Sequence, residues 1–401
     1  MKVFVLGAGA SKAYHASPSG QRMPVARDFF QTFLRLQISE NPWVLLGGVM
    51  AYLAENRGVD DLYRYLQSGI DIEDLHSEIE AAREKIRTGG KEISDRMIAD
   101  SAFNQLVFLF AATINEIQSG PVSDAHRRLA EVLEPGDAVV TFNWDTLLDR
   151  ALAETTNWRP DWGYGAHPQK IFRNAWVPPE PRPAHKDTIE FIKLHGSTNW
   201  LTAYAIRDLR TDEIVLTHDL DPSAFNVFVT NDQPYSCYAG RYMSGYEPYS
   251  YGYYPPNLDF PGRPADEGHA IVQVRSRVPW RPEGTSEDDG LVSMPLIIPP
   301  VRHKSYQMFG DLFRRLWNRA EDLLAEADSI TVIGYSFPKT DVQTDQLFRA
   351  AFSRRKTIPT VRIIDPAPEA VADKFRFELG IPNDRLDVWK TYFTAEIAET
   401  L

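Results

Sequence analysis

Apolar runs recur along the chain, and each stops abruptly at glycine or at polar residues. Val3 to Leu6 runs into Gly7-Ala8-Gly9-Ala10-Ser11, and Ala138 to Phe142 runs into Asn143-Trp144-Asp145. Thr188 to Leu194 stops at His195-Gly196, Ser329 to Ile333 at Gly334-Tyr335-Ser336, and Val361 to Ile364 at Asp365-Pro366. The first run holds no polar side chain, which suits a strand covered on both faces of a parallel sheet. Two further short strands are expected at Leu296 to Pro300 and near Asp387-Val388-Trp389. Between the runs the apolar period changes to that of helices, as in Leu312, Leu316, Ala320, Leu323 and Leu324. Strands alternating with helices predict an α/β fold with a doubly wound, mostly parallel, Rossmann-like sheet.

Two long segments break this rhythm. Residues 25–135 carry helical periods from Phe29 onward, with breakers at Gly89-Gly90 and Ser119-Gly120-Pro121. This reads as a helical insertion without a catalytic cluster, in which His76 and His126 are expected to be solvent-exposed or at the core's edge. The last of its helices is expected to open on a Ser123 cap. Residues 202–290 are irregular, with short strands plausible at 214–216, 225–229 and 270–274 and a tyrosine-rich stretch from Tyr235 to Tyr254. Tyrosine gives large contact area at modest entropic cost, so Tyr246, Tyr249 and Tyr251 are candidate assembly contacts. The core is then assembled from 1–24, 136–200 and 291–401, and 1–401 forms a single domain. Aromatics of the loop from Trp158 to Pro183 are expected to cap the core's edge.

Composition narrows the function. The chain has 401 residues, 43% hydrophobic and 24% charged, as an ordinary globular protein has. A net charge of −12 disfavours a general nucleic-acid binder, whose footprint is basic. Cys237 is the one cysteine, so an intrachain disulfide and a cysteine-rich zinc ribbon are excluded. No apolar run is long enough for a signal core or a membrane span, and a cytoplasmic location is expected.

Ligands of open α/β sheets bind at the carboxyl ends of the strands, where the polar stops sit. There an Asn143/Asp145 pair either caps the following helix or acts on a ligand. Gly7 and Gly9 either pack closely or admit a phosphate to backbone N–H groups, and His195 either is structural or serves as an acid/base.

Four stops in order, Gly-Ala-Gly-Ala-Ser, Thr-Phe-Asn-Trp-Asp, Lys-Leu-His-Gly-Ser and Ile-Gly-Tyr-Ser-Phe, resemble those of the sirtuin (silent information regulator) family. The likeness is greatest to its bacterial branch of NAD-consuming effectors in anti-phage defence, and extends to Lys304 and Ala327-Asp328. It implies an NAD+ glycohydrolase that releases nicotinamide and ADP-ribose. In that reading Gly7, Ala8, Gly9 and Ser11 wrap the pyrophosphate, Gly334 and Ser336 meet the adenosine, and Asp365 lies near its ribose. Thr141 and Phe142 complete the NAD-binding set. Asn143 and His195 carry catalysis, with Asp145 favouring the cationic sugar. No metal is expected. Sirtuin deacylases hold zinc with four cysteines and follow their His-Gly pair with an acyl-lysine channel motif, whereas this chain has Ser197-Thr198-Asn199-Trp200. The alternatives are an NAD-dependent protein deacylase or ADP-ribosyltransferase and, in another class, a non-catalytic module that binds NAD or a derivative. A free NADase would poison its cell, so the implied partners are further copies of the chain or an ATPase or nuclease of the same defence system. Gly9→Val is expected to weaken NAD binding more than it lowers stability.

Overall fold

Six of the apolar runs lie side by side as one parallel sheet: β1 (Lys2–Leu6), β2 (Ala138–Thr141), β3 (Glu190–Lys193), β4 (Ser329–Ile333), β5 (Thr360–Ile364) and β6 (Leu386–Trp389). Their spatial order is β6-β5-β4-β1-β2-β3, the order 3-2-1-4-5-6 of doubly wound dinucleotide-binding sheets read from the other edge. Every pairing is parallel. One row of the register runs across the sheet through Lys193, Thr141, Leu6, Ile333, Ile364 and Trp389. All six strands therefore stop level with each other, and the polar residues that follow are set along one edge. In the computed structural model the structure describes residues 1–36, 46–89, 93–172, 176–203, 205–207, 214–216, 225–229, 276–277, 292–298, 311–338 and 341–401. Cys237, the tyrosine-rich stretch, the expected strand at 270–274, Pro299, Pro300 and Lys304 lie outside them.

Val3, Val5, Val139, Val140, Ile330 and Ile363 are fully or almost fully buried, as strands covered on both faces require. Helices Leu147–Thr155, Asp311–Glu326 and Val342–Arg354 follow β2 or flank β4, burying Leu148, Leu316, Leu323 and Phe348 against the sheet. The helix Asp124–Val132, expected with the insertion, instead adds Ala125, Leu129 and Ala130 to this main core. Trp158 and Tyr164 also belong to the core. No helix of the described residues is long and apolar enough to cross a membrane.

The chain also forms a second, mixed sheet that its sequence pattern does not announce. Its order is Ser276–Arg277, Val292–Ile297, Gly196–Ala203, Asn226–Phe228, Lys170–Phe172, Trp176–Val177. The strand Gly196–Ala203 opens on Ser197, Thr198 and Asn199, all buried, and so lacks the apolar alternation by which strands are read. The run at 296–298, expected among the core strands, belongs to this sheet as the end of Val292–Ile297, antiparallel to Gly196–Ala203.

Helices Phe29–Arg35, Gly47–Arg57, Leu62–Gln67, Ile72–Gly89 and Ile93–Ile117 make a second hydrophobic core of their own. Both histidines expected at the surface or the core's edge are buried, His76 at 0% and His126 at 1% exposure. His76 sits between Phe103 and Phe110, and neither ring nitrogen has a hydrogen-bond partner among the described residues. His126 is held by the hydroxyl of Ser123, 2.7 Å from its Nδ1, so that serine caps no helix amide. Burial, with Arg83 adding to it, lowers the His76 pKa to about 3, and burial lowers His126 to about 4. Both values lie below the unfolded value of 6.5, so the unfolded chain binds more protons as pH falls from 6.5. Stability is therefore full above that pH and is lost progressively below it, until the folded values are reached. His76→Phe, which keeps the ring contacts, should flatten the fall in urea midpoint between neutral and mildly acid pH. An unchanged acid slope would contradict this origin.

Candidate active site at the switch point of the sheet

Because Thr141 pairs with Lys193, the residues two positions on, Asn143 and His195, leave adjacent strands side by side. They line a cavity of about 480 Å³ at the strands' carboxyl ends, at the switch point between β1 and β4. Ala8, Gly9, Ser11, Phe142, Asp145, Gly334, Ser336 and Asp365 line the same cavity. Of the residues expected there, Gly7 and Thr141 stand behind the lining. Thr141 Oγ1 accepts from the Asn143 amide at 3.1 Å and donates to the Leu6 carbonyl at 3.3 Å, fixing the turn out of β2.

Asn143 does not cap a helix. Its Nδ2 donates to the Gly7 carbonyl (2.8 Å) and to Ser11 Oγ (2.9 Å). A carbonyl can only accept, so the amide's orientation is settled by chemistry. The Ser11 hydroxyl donates onward to Asp145 Oδ2 at 2.5 Å, and Asp145 Oδ1 accepts from the Leu147 amide at 3.1 Å. Ser11 thus ties the glycine loop to both polar groups after β2, while Asp145 starts the next helix. Beneath them the buried Lys193 ammonium donates to the Asp145 carbonyl and pairs with Asp149 at 3.1 Å. Burial raises the Asp149 carboxyl above the usual range, with Lys193 and the Tyr164 hydroxyl opposing it.

The glycines are used chiefly on each other. A Cβ on Gly7 would lie 2.5 Å from the Gly334 carbonyl oxygen, and one on Gly9 would lie 2.7 Å from Gly334 Cα. Gly334 has φ +59°, and a Cβ on it would in turn meet the Ala10 nitrogen and Gly9 carbonyl carbon at 2.5 Å. The amides of Gly7, Gly9 and Ala10 donate to Ile333, Gly334 and Gly7 carbonyls. Three of the loop's N–H groups are spent inside the protein, and the helix behind it, Ala8–Ser11, has only four residues. The loop therefore brings fewer free donors to an anion than its sequence implied.

His195 is 7% exposed and packed among Phe142, Trp144 and Trp317, at ring distances of 5.3, 6.5 and 6.2 Å. Its Nε2 lies 3.7 Å from Oδ2 of Asp341, a buried carboxylate that also lines the cavity. Asp341 was not singled out in the sequence, because it stands seven residues after the Gly334 stop and reads as the polar start of a helix. Phe337, between the two, holds a left-handed φ of +50°. Such strain in a non-glycine residue gathers at sites that need a fixed loop.

Part of the cavity wall comes from the helical segment. Phe29, Ile72, Phe110 and Ile114 line the cavity and are at the same time members of the insertion's core, with Glu73 beside them. The Phe110 ring is 5.1 Å from Trp144 and 4.8 Å from Phe29. Gln118, fully buried at the end of the long helix, joins this segment to both site loops. Its Oε1 accepts from the Thr146 amide (2.8 Å), and its Nε2 donates to Asn115 (2.7 Å) and Thr198 (3.4 Å). Gln118→Leu leaves the Thr146 amide buried without an acceptor and should cost about 1–3 kcal/mol. An unchanged denaturant midpoint would show that the link is dispensable.

No protein-family model matches the chain, and no match was found among curated proteins. Among solved structures it is similar to Sir2Tm bound to a propionylated peptide, at 14% identity over 100% of this chain and 91% of that one, TM-score 0.34. A mutant Sir2 homologue in complex with ADP ribose is similar at 13% identity over 100% and 89%, TM-score 0.36. At these values the fold assignment rests on the strand order, and the site on its own geometry.

Proposed function

We propose that this cavity binds NAD+ and hydrolyses its nicotinamide–ribose bond. The observation that carries the reading is the meeting of Asn143, Asp145 and His195 with Gly9, Gly334, Ser336 and Asp365 in one cavity at the switch point. The adenosine would lie over Gly334, Ser336 and Asp365, and the nicotinamide ribose beside Asn143 and His195. The C1′–N bond breaks through an oxocarbenium-like state, and nicotinamide leaves with the electron pair. A water bonds to C1′, placed by the Asn143 side chain, and His195 takes its proton. Both Asp145 oxygens are engaged, so its part is to hold Ser11 and Asn143 and to add negative potential beside the cationic sugar.

Two observations favour water over a peptide lysine as acceptor. The strand following His195, Gly196–Ala203, is paired along one side by Val292–Ile297 and on the other, at Trp200 and Leu201, by Asn226–Phe228, so an added peptide strand would have to displace part of the sheet. Apolar side chains of the helical segment, Phe29, Phe110 and Ile114, occupy part of the cavity wall. On this reading the protein is a regulated effector that depletes NAD in bacterial anti-phage defence, switched on by self-assembly or by a partner protein. Incubation with NAD+, with and without an acyl-lysine peptide, tests the choice of acceptor. Peptide-independent nicotinamide release is expected. Release that requires the peptide would replace hydrolysis with deacylation, and tight NAD binding with no release would leave a binding module.

A further inference from the structure

We propose that Asp341 is the positioning carboxylate of His195, a role that rests on the reading of this cavity as an NAD-cleaving site. Asp341 immediately precedes the helix Val342–Arg354, where a carboxylate ordinarily accepts from the helix's first amides. Here it makes no such bond. Its backbone is fixed instead, the amide donating to the Pro338 carbonyl (2.9 Å) and the carbonyl accepting from the Thr344 amide (3.2 Å). The side chain, 6% exposed, points its Oδ2 to the Tyr335 hydroxyl at 2.8 Å and to His195 Nε2 at 3.7 Å.

Tyr335 is itself locked, stacked on Phe142 at 4.3 Å and 16°. Burial, with Asp341 and Glu73 adding to it, holds its phenol well above the usual range, so the hydroxyl stays a donor to Asp341. Phe142 in turn meets the His195 ring edge-on at 5.3 Å. The imidazole is therefore bounded by an aromatic ring and a buried carboxylate, both of them held by Tyr335. A carboxylate in that position fixes the ring's orientation and stabilises the imidazolium formed when His195 takes the proton of the attacking water. The balance of the step is unchanged: one C–N bond breaks, one C–O bond forms, and the proton passes to the imidazole.

Asp341→Asn tests this, because asparagine serves equally well at a helix start and still accepts from Tyr335. The variant should lower kcat by roughly tenfold or more with KM changed by less than about twofold. In the absence of substrate, the imidazole nitrogen resonances of His195, assigned by their loss in His195→Ala, should shift. Unchanged kcat with unchanged resonances would overturn the proposal. So would a fall in kcat with unmoved resonances, since Asp341 would then act elsewhere. A wild-type protein that cleaves no NAD would defeat the reading of the site, while the resonances would still decide whether Asp341 holds His195.

Discussion

His195→Ala should lower the rate of nicotinamide release by at least about a hundredfold, the loss ordinarily seen when a positioned acid/base is removed. The ring is buried but borders the cavity, so the truncation enlarges an existing space, and the sheet beneath it is untouched. Asn143→Ala should have a similar effect on rate and a clearer effect on stability. Its Nδ2 bonds hold the Gly7 carbonyl and Ser11, and removing them leaves polar groups under-satisfied at a cost of about 1–3 kcal/mol. Steady-state rates beside a melting curve check both. A folded His195→Ala with near wild-type turnover would remove His195 from the chemistry.

Gly9→Val should lower stability before it lowers affinity, which reverses the order expected from the sequence. The added Cβ meets backbone, Gly334 Cα at 2.7 Å and Gly334 oxygen at 3.0 Å, and no flexible side chain can give way. Relief requires the ends of β1 and β4 to separate, breaking the Gly9 amide bond to the Gly334 carbonyl. A cost of about 3 kcal/mol, the upper part of the usual range for overpacking, is expected. Denaturant unfolding beside calorimetric titration with a slow NAD analogue separates the two effects. A variant of full stability that had lost binding would restore the phosphate-contact explanation.

The strands that carry the site were legible because each is an uninterrupted apolar run with an abrupt polar stop, and their level register followed once the runs were paired. Asn143, His195, Gly334, Ser336 and Asp365 were legible for the same reason. Asp341 and Gln118 were not, because each looks like ordinary helix-end polarity and gains its meaning from a neighbour far away in sequence. The second sheet was missed since Gly196–Ala203 buries Asn199 together with Ser197 and Thr198, whose hydroxyls bond the Trp144 carbonyl and Gln118. His76 and His126 were misplaced because titratable rings are usually kept near water, whereas here aromatic packing and Ser123 hold them inside.

The most direct test of NAD hydrolysis in this cavity is to incubate concentrated protein with NAD+ in heavy-oxygen water and to weigh the products. The account predicts equimolar nicotinamide and ADP-ribose, with one heavy oxygen on C1′ of the ADP-ribose, and formation of both slowed at least about a hundredfold in His195→Ala. Release of nicotinamide without the heavy atom in ADP-ribose, or equal yield from His195→Ala, would contradict it.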